Sequence, residues 1–222
     1  HHAIGELWLW FTVTASDQVQ VDVAREELVL TTNVCNALAP LIVGLCANSP
    51  VHSGADSGLC SSREGEMRGI DISSGRHGMP LRPAADIDDF VEQLLMQRLL
   101  VRDEGGRKVS DGRPFPEYLA EAGLDVEATW QAFLLHEHYI WNTARPRSAH
   151  STVEIRAACQ QPPNELHAAA ALSLGLIEAA PSIALFLDEL LGGDAWQRLR
   201  SWHSDAIVRG LRSDAPDGLI EG

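Results

Sequence analysis

Cysteine is sparse, basic residues are outnumbered, and no long apolar run is present. The four cysteines, Cys35, Cys46, Cys60 and Cys159, form neither a CxxC pair nor a metal-finger spacing. A zinc ribbon is therefore excluded, and free thiols in a reducing compartment are the simplest state. With 17 Lys plus Arg against 31 Asp plus Glu, the formal net charge is −14, the wrong balance for a non-specific nucleic-acid binder. The longest apolar stretches, 37–47 and 168–177, are too short to span a bilayer and are broken or bounded by Pro40 and Glu178. No signal-peptide pattern opens the chain, and the glycines match neither the Walker spacing nor GxGxxG. What remains is an acidic chain of 222 residues, enough for one domain or a large part of one. It is expected to be soluble and cytoplasmic, without nucleic-acid or membrane partners. His1-His2 is read either as a tag remnant or as the start of a piece taken from the middle of a larger protein.

The patterning predicts strands set among helices. Leu7 to Phe11 is apolar, with Trp8 and Trp10. In the next segment Gln18, Gln20 and Asp22 alternate with Val19, Val21 and Val23, the period of a strand with one polar face. Helical spacing of apolar residues from Ala24 to Ala47 predicts a buried helix that Pro40 kinks or splits. From Asn48 to Arg63 the chain is a turn-rich loop, where Arg63 and Arg68 read as solvated arginines or as contacts to an anion. Asp86 predicts the cap of a helix through Leu99, and Gly105-Gly106 a short hairpin. Phe115 to Ala122 predicts a helix ended by Gly123, and Asp125 the cap of another running toward His138. In a helix His136 and His138 face different directions, which makes HxH a poor metal pair. Asn164 predicts the cap of a helix over 165–179. Pro181 opens another that Gly192-Gly193 closes, and 196–211 forms the last. The absence of strict strand-helix alternation favours an α+β fold.

The stretch with chemistry is 151–159, led in by Ala144-Arg145-Pro146-Arg147. Val153, Ile155 and Ala157 alternate with Glu154 and Arg156, so the carboxylate and the guanidinium share a strand face roughly 7 Å apart. Such a pair could hold a metal ion and a phosphate. An exposed, solvated face with a same-side ion pair is the plainer alternative.

Several segments in order bear a resemblance to one family. Gln18-Val19-Gln20-Val21-Asp22 resembles a family Gln-x-Asn-Leu-Asp strand, and Ala47-Asn48-Ser49-Pro50 resembles Ala-Asn-Ser-Pro. Gly54 and Gly58 followed by Ser61-Ser62-Arg63 are similar to a Gly-rich loop with Ser-x-Arg. Ala144-Arg145-Pro146 and Thr152-Val153-Glu154-Ile155-Arg156 resemble Arg-Pro and Thr-x-Glu-x-Arg. The chain resembles the later part of a glutamate-cysteine ligase of the plant-type and bacterial carboxylate-amine ligase family. Gln20 replaces the usual Asn, no aromatic follows Arg63, and the family's Gly-x-Glu-x-Glu first strand has no counterpart, Glu6 lying too close to Gln18.

The resemblance implies a glutamine-synthetase-like α+β fold. Its curved antiparallel sheet, flanked by helices and here lacking its N-terminal strands, would carry ATP, Mg2+, glutamate and an amine on the concave face. It implies an ATP-dependent ligation in the manner of glutathione biosynthesis. The γ-carboxylate of glutamate is activated as a γ-glutamyl phosphate that an amine, cysteine by default, displaces. Glu154 and Gln18 are then the metal ligands, Arg156 and Arg145 the catalytic residues, and Arg156, Arg145 and Arg63 the contacts to ATP. Residues 1–222 would be a partial catalytic domain, inactive alone. A ligase-derived binding or structural domain without turnover is the alternative.

Overall fold

Alternation of valines with polar residues produces the first strand, β1 (Val19–Asp22), in a computed structural model that describes residues 14–68, 75–216 and 219. The apolar segment Leu7–Phe11 and Glu6 lie outside the described residues. After a 3-10 turn at Arg25–Glu27 the long helical pattern divides into α1 (Leu28–Ala37) and α2 (Ala39–Leu45), bent by 49°. Pro40 sits in the first turn of α2, where its missing N–H costs nothing, so the break falls just ahead of it. The turn-rich stretch carries a two-residue hairpin, β2 (Val51–His52) and β3 (Ala55–Asp56). Ser53 and Gly54 at its tip have φ 49° and 79°, as a tight hairpin turn requires. The expected loop then ends earlier than the composition implied: α3 (Ser62–Arg68) begins at Ser62 and carries Arg63 on a helix.

The middle of the chain follows most of its local signals, although the helix expected through Leu99 stops at Leu95, where the chain turns and Arg98 bridges to Pro114. β4 (His77–Gly78) leads to α4 (Ile87–Leu95), where Asp86 accepts from the Asp89 N–H. The glycine hairpin is β5 (Val101–Glu104) with β6 (Arg107–Ser110). α5 (Phe115–Ala122) ends at Gly123 in the left-handed region, and Asp125 caps α6 (Val126–His138) by accepting from the Ala128 N–H. β7 (Trp141–Asn142), β8 (Ala144–Arg147) and β9 (Thr152–Ile155) follow. β9 is shorter than the 151–159 stretch, although the chain remains close to its neighbours through Arg156 N–H to Thr143 O (2.8 Å) and a bridge between Ser16 and Cys159.

The last helices are α7 (Ala168–Glu178), α8 (Ala180–Leu191) and α9 (Ala195–Arg209). α7 starts at Ala168, and Asn164 does not cap it. The Glu165 and Ala168 N–H groups bond to the carbonyls of Pro162 and Glu165, forming tight turns that delay the helix. All four cysteines are free.

The architecture is mixed helix and sheet, with small antiparallel sheets. The largest has the order β1-β9-β8, antiparallel throughout, while β4 and β7 form a short parallel pair. One face of the central strand is apolar: Val153 and Ile155 are buried, and Ile155 packs with Ile42, Val43, Ala206 and Ile207 of α2 and α9. Each such side chain contributes about 1.5–3 kcal/mol on leaving water. A second cluster joins Val34 and Leu38 to Leu187, Leu191, Leu199 and Trp202. The helices thus hold β9 by its apolar side and turn Glu154 to the opposite face. No single helix among the described residues is long and apolar enough to cross a membrane.

Candidate functional site

Glu154 occupies the middle strand of the three, so antiparallel pairing places a residue directly opposite it on each side. Those residues are Arg145 on β8 and Gln20 on β1, within side-chain reach. The face is not solvated, because Glu154 is only 1% exposed. Its Oε1 accepts from Arg145 Nη2 (3.1 Å) and from Arg156 Nη1, and its Oε2 accepts from Arg147 Nη1 (3.0 Å). Gln20 Nε2 stands 3.5 Å from Oε2, and Gln18 Oε1 accepts from Arg156 Nη1 at 3.3 Å.

Neighbouring elements fix the arginines. Arg145 Nη1 donates to the His138 carbonyl (3.1 Å) and the Ile140 carbonyl at the end of α6. There the unpaired carbonyls and the negative end of the helix dipole favour a cation. Glu137 of the same helix accepts from the Ser148 hydroxyl (2.5 Å), which ties the β8–β9 turn to α6. Arg63 is 4% exposed, correcting its reading as a solvated loop side chain. It is paired with Glu64 and donates to the Arg156 carbonyl at 3.0 Å.

The electrostatics follow from burial and crowding. Burial alone would raise the Glu154 pKa, but Arg145, Arg156 and Arg147 outweigh it and hold the carboxyl below its ordinary range. Burial, reinforced by Arg156, brings Arg145 down to about 9, with Glu154 opposing. Burial also lowers Arg156. In Glu64 burial prevails over Arg63 and raises the carboxyl. Four guanidiniums, Arg63, Arg145, Arg147 and Arg156, therefore surround Glu154 and Glu64. The Nε atoms of Arg145 and Arg147 are buried without a hydrogen-bond partner among the described residues.

This donor set fits an oxyanion such as a phosphate or a carboxylate. It does not fit magnesium. Both Glu154 oxygens and the Gln18 carbonyl face guanidiniums, and among the described residues no group of three or more His, Cys, Asp or Glu side chains could hold a metal ion. The metal role expected for Glu154 and Gln18 therefore finds no ligand set here. The separation of His136 from His138 agrees with the helical reading: His136 is buried, stacks on Phe115 at 4.1 Å and bonds to the Leu94 carbonyl through Nε2 (2.8 Å).

The strand period brings together Glu154, Arg156 and Arg145 as expected, with Gln18 at the margin. It also bears on Arg147, one step beyond Arg145 on the same face, which sequence reasoning passed over. Gln20 stood out only as part of the polar face of its own strand and as a departure from Asn, and Glu64 carried no signal. Beside this cluster Arg63, Ser49, Ser62, Cys159 and Gln161 line a cavity of about 750 Å³, within the size range of small-molecule sites. A family model described as glutamate-cysteine ligase family 2 matches residues 8–215. No curated protein matches the chain.

Proposed function

The chain belongs to glutamate-cysteine ligase family 2, whose activity is in general an ATP-dependent carboxylate-amine ligation, and from that premise we propose that it serves the joining of the glutamate γ-carboxylate to an amine, cysteine by default. The observation that carries this reading is the gathering of four buried or half-buried arginines about Glu154 and Glu64 in a chain of net charge −14. Concentrating positive charge against the overall balance is costly unless an anion uses it. We read residues 1–222 as the later part of the catalytic domain, and β1-β9-β8 as part of a curved, glutamine-synthetase-like sheet.

In the proposed reaction a γ-carboxylate oxygen attacks the terminal phosphorus of ATP, and the bond to ADP breaks with its electron pair. The amine nitrogen then attacks the resulting acyl phosphate carbon. The carbon–oxygen bond to phosphate breaks, inorganic phosphate departs, and the nitrogen loses a proton. Negative charge builds on oxygen in both steps, so fixed cations stabilise both. Arg156 and Arg145 are assigned to the phosphates and the substrate carboxylate, with Arg63 at the edge of the same anion site. Glu154 is assigned to orienting these guanidiniums. Magnesium generally accompanies ATP in such ligases and supplies further charge neutralisation when bound, through ligands other than Glu154.

The test is ADP release by the full-length protein with glutamate and a panel of amines. Arg156→Gln should lower kcat by about 100-fold or more, the usual consequence of losing one charge-stabilising donor, with the circular dichroism spectrum unchanged. Saturable ATP binding with no release for any amine would identify a ligase-derived binding domain instead. Wild-type turnover in Arg156→Gln would remove the arginine assignment.

A further inference from the structure

A second concentration of positive charge borders the arginine cluster of the Glu154 face, around a cavity of about 150 Å³ between α3, β4 and α9 whose His77 feels the charges of Arg63 and Arg156. Arg68 ends α3, His77 and Gly78 form β4, and Arg200, His203 and Ser204 come from α9. The α9 residues are three and four apart, which puts them on one helix face. Among the described residues no carboxylate belongs to the lining. Neither the Arg68 nor the Arg200 side chain has an ion-pair or hydrogen-bond partner among the described residues.

Two buried imidazoles complete the wall. His203 is 3% exposed and His77 7%, yet His203 Nε2 and His77 Nδ1 have no hydrogen-bond partner among the described residues. Buried polar atoms are normally satisfied, so two such atoms beside one cavity point to a group that completes them. Burial keeps both rings neutral at pH 7, with arginine charge adding to the effect. A neutral imidazole still has one N–H, and its tautomer can place that donor on the unpaired nitrogen. The backbone is shaped to admit the arrangement. Gly78 has φ +72°, and a Cβ there would stand 3.3 Å from His203 Cε1.

We propose that this cavity binds a small oxyanion, held by Arg68 and Arg200 and receiving hydrogen bonds from His77 and His203. Its volume lies below the roughly 300 Å³ at which drug-sized sites begin, so the ligand is a single phosphate or carboxylate group and not a nucleotide. The cavity borders the arginines assigned to the ligase reaction, but its lining shares no residue with them, so the proposal goes beyond the ligase reading and does not rest on it.

The experiment is calorimetric titration of the full-length protein with inorganic phosphate and, in a second arm, with acetate. Arg68→Gln and Arg200→Gln are compared with Arg82→Gln, an exposed control. Saturable binding in one arm identifies the anion. Either cavity variant should weaken it by about tenfold or more, as loss of a charge-assisted contact does, and the control should not. NMR of the histidine side chains in the unmodified protein gives a readout that does not depend on a variant folding: the His203 and His77 ring signals should shift in step with occupancy. Absence of saturable binding in both arms, or binding that leaves these signals unmoved, overturns the proposal. Binding lost in Arg156→Gln and kept in Arg68→Gln would place the anion at the Glu154 cluster and overturn it equally.

Discussion

Glu154 is the residue whose replacement says most. Gln has the same shape, and by shape alone the exchange would leave the fold intact. Three guanidiniums converge on this one buried carboxylate, and an amide cannot compensate their charge. Removing one partner of a buried ion pair costs about 3–5 kcal/mol, so Glu154→Gln should lower unfolding free energy by that order in urea titrations, besides reducing turnover. A change below about 0.5 kcal/mol, the usual surface value, would mean that the arginines do not depend on Glu154. His136 yields a pH prediction. Burial lowers its pKa from 6.5 to about 4, so on acidification the unfolded chain takes up the proton near pH 6.5 while the native state resists until near pH 4. Stability is therefore complete above pH 6.5 and lost as pH falls toward 4, at about 1.4 kcal/mol per pH unit for one proton. Urea titrations of His136→Gln across that window should show a slope smaller by about one proton.

At the scale of elements, termini matter more than interiors. Gly123 ends α5 at φ +58° with nothing within 4 Å of a Cβ placed there. The cost of Gly123→Ala is thus conformational and not steric, about 1 kcal/mol. Asp125→Ala removes the acceptor for the Ala128 N–H (2.8 Å) and should cost about 1 kcal/mol as well. The two changes flank the junction from which α6 runs to the carbonyls that receive Arg145. If thermal melts show both losses while anion binding at the cluster persists, the junction supports stability without setting the position of Arg145.

For the whole molecule, charge distribution sets the response to salt. Net charge is −14, and several basic residues are spent inside, at Arg63, Arg76, Arg145 and Arg156. Among the described residues three buried carboxylates, Glu64, Glu137 and Glu154, nearly offset them, so the surface carries about the same acidic excess as the whole chain. Exposed pairs such as Arg82–Asp89 and Arg209–Asp214 contribute little, whereas screening relieves acidic self-repulsion. Raising sodium chloride from about 0.01 M to 1 M shortens the Debye length from roughly 30 Å to 3 Å and should raise Tm. A fall in Tm would show that the surface pairs outweigh the repulsion.

Local chemistry determined most of the elements from sequence alone. Alternation identified β1 and β9, proline the break before α2, glycines the β5–β6 hairpin and the end of α5, and aspartates the caps of α4 and α6. Each signal acts within a few residues, through φ, a missing N–H or a side-chain acceptor. The same period-two logic put Glu154 and Arg156 on one face. Tertiary structure alone decided that this face is buried, that Gln20 and Arg147 belong to it, and that Arg63 leaves its expected loop to join Arg156. It also decided that both Glu154 oxygens are taken by arginines, and that His77 meets His203 across a cavity. Several of these outcomes need segments far apart in the chain to come together, as Gln20 and Glu154 do with a separation of 134 and Arg63 and Arg156 with one of 93, whereas the arginines on the Glu154 oxygens lie within 9 residues of it and are brought there by the β8–β9 pairing. Burial and pairing partners at such distances follow from how the apolar faces of α1, α2, α8 and α9 pack. No local pattern encodes that packing, because solvation and charge compensation are properties of the assembled interior.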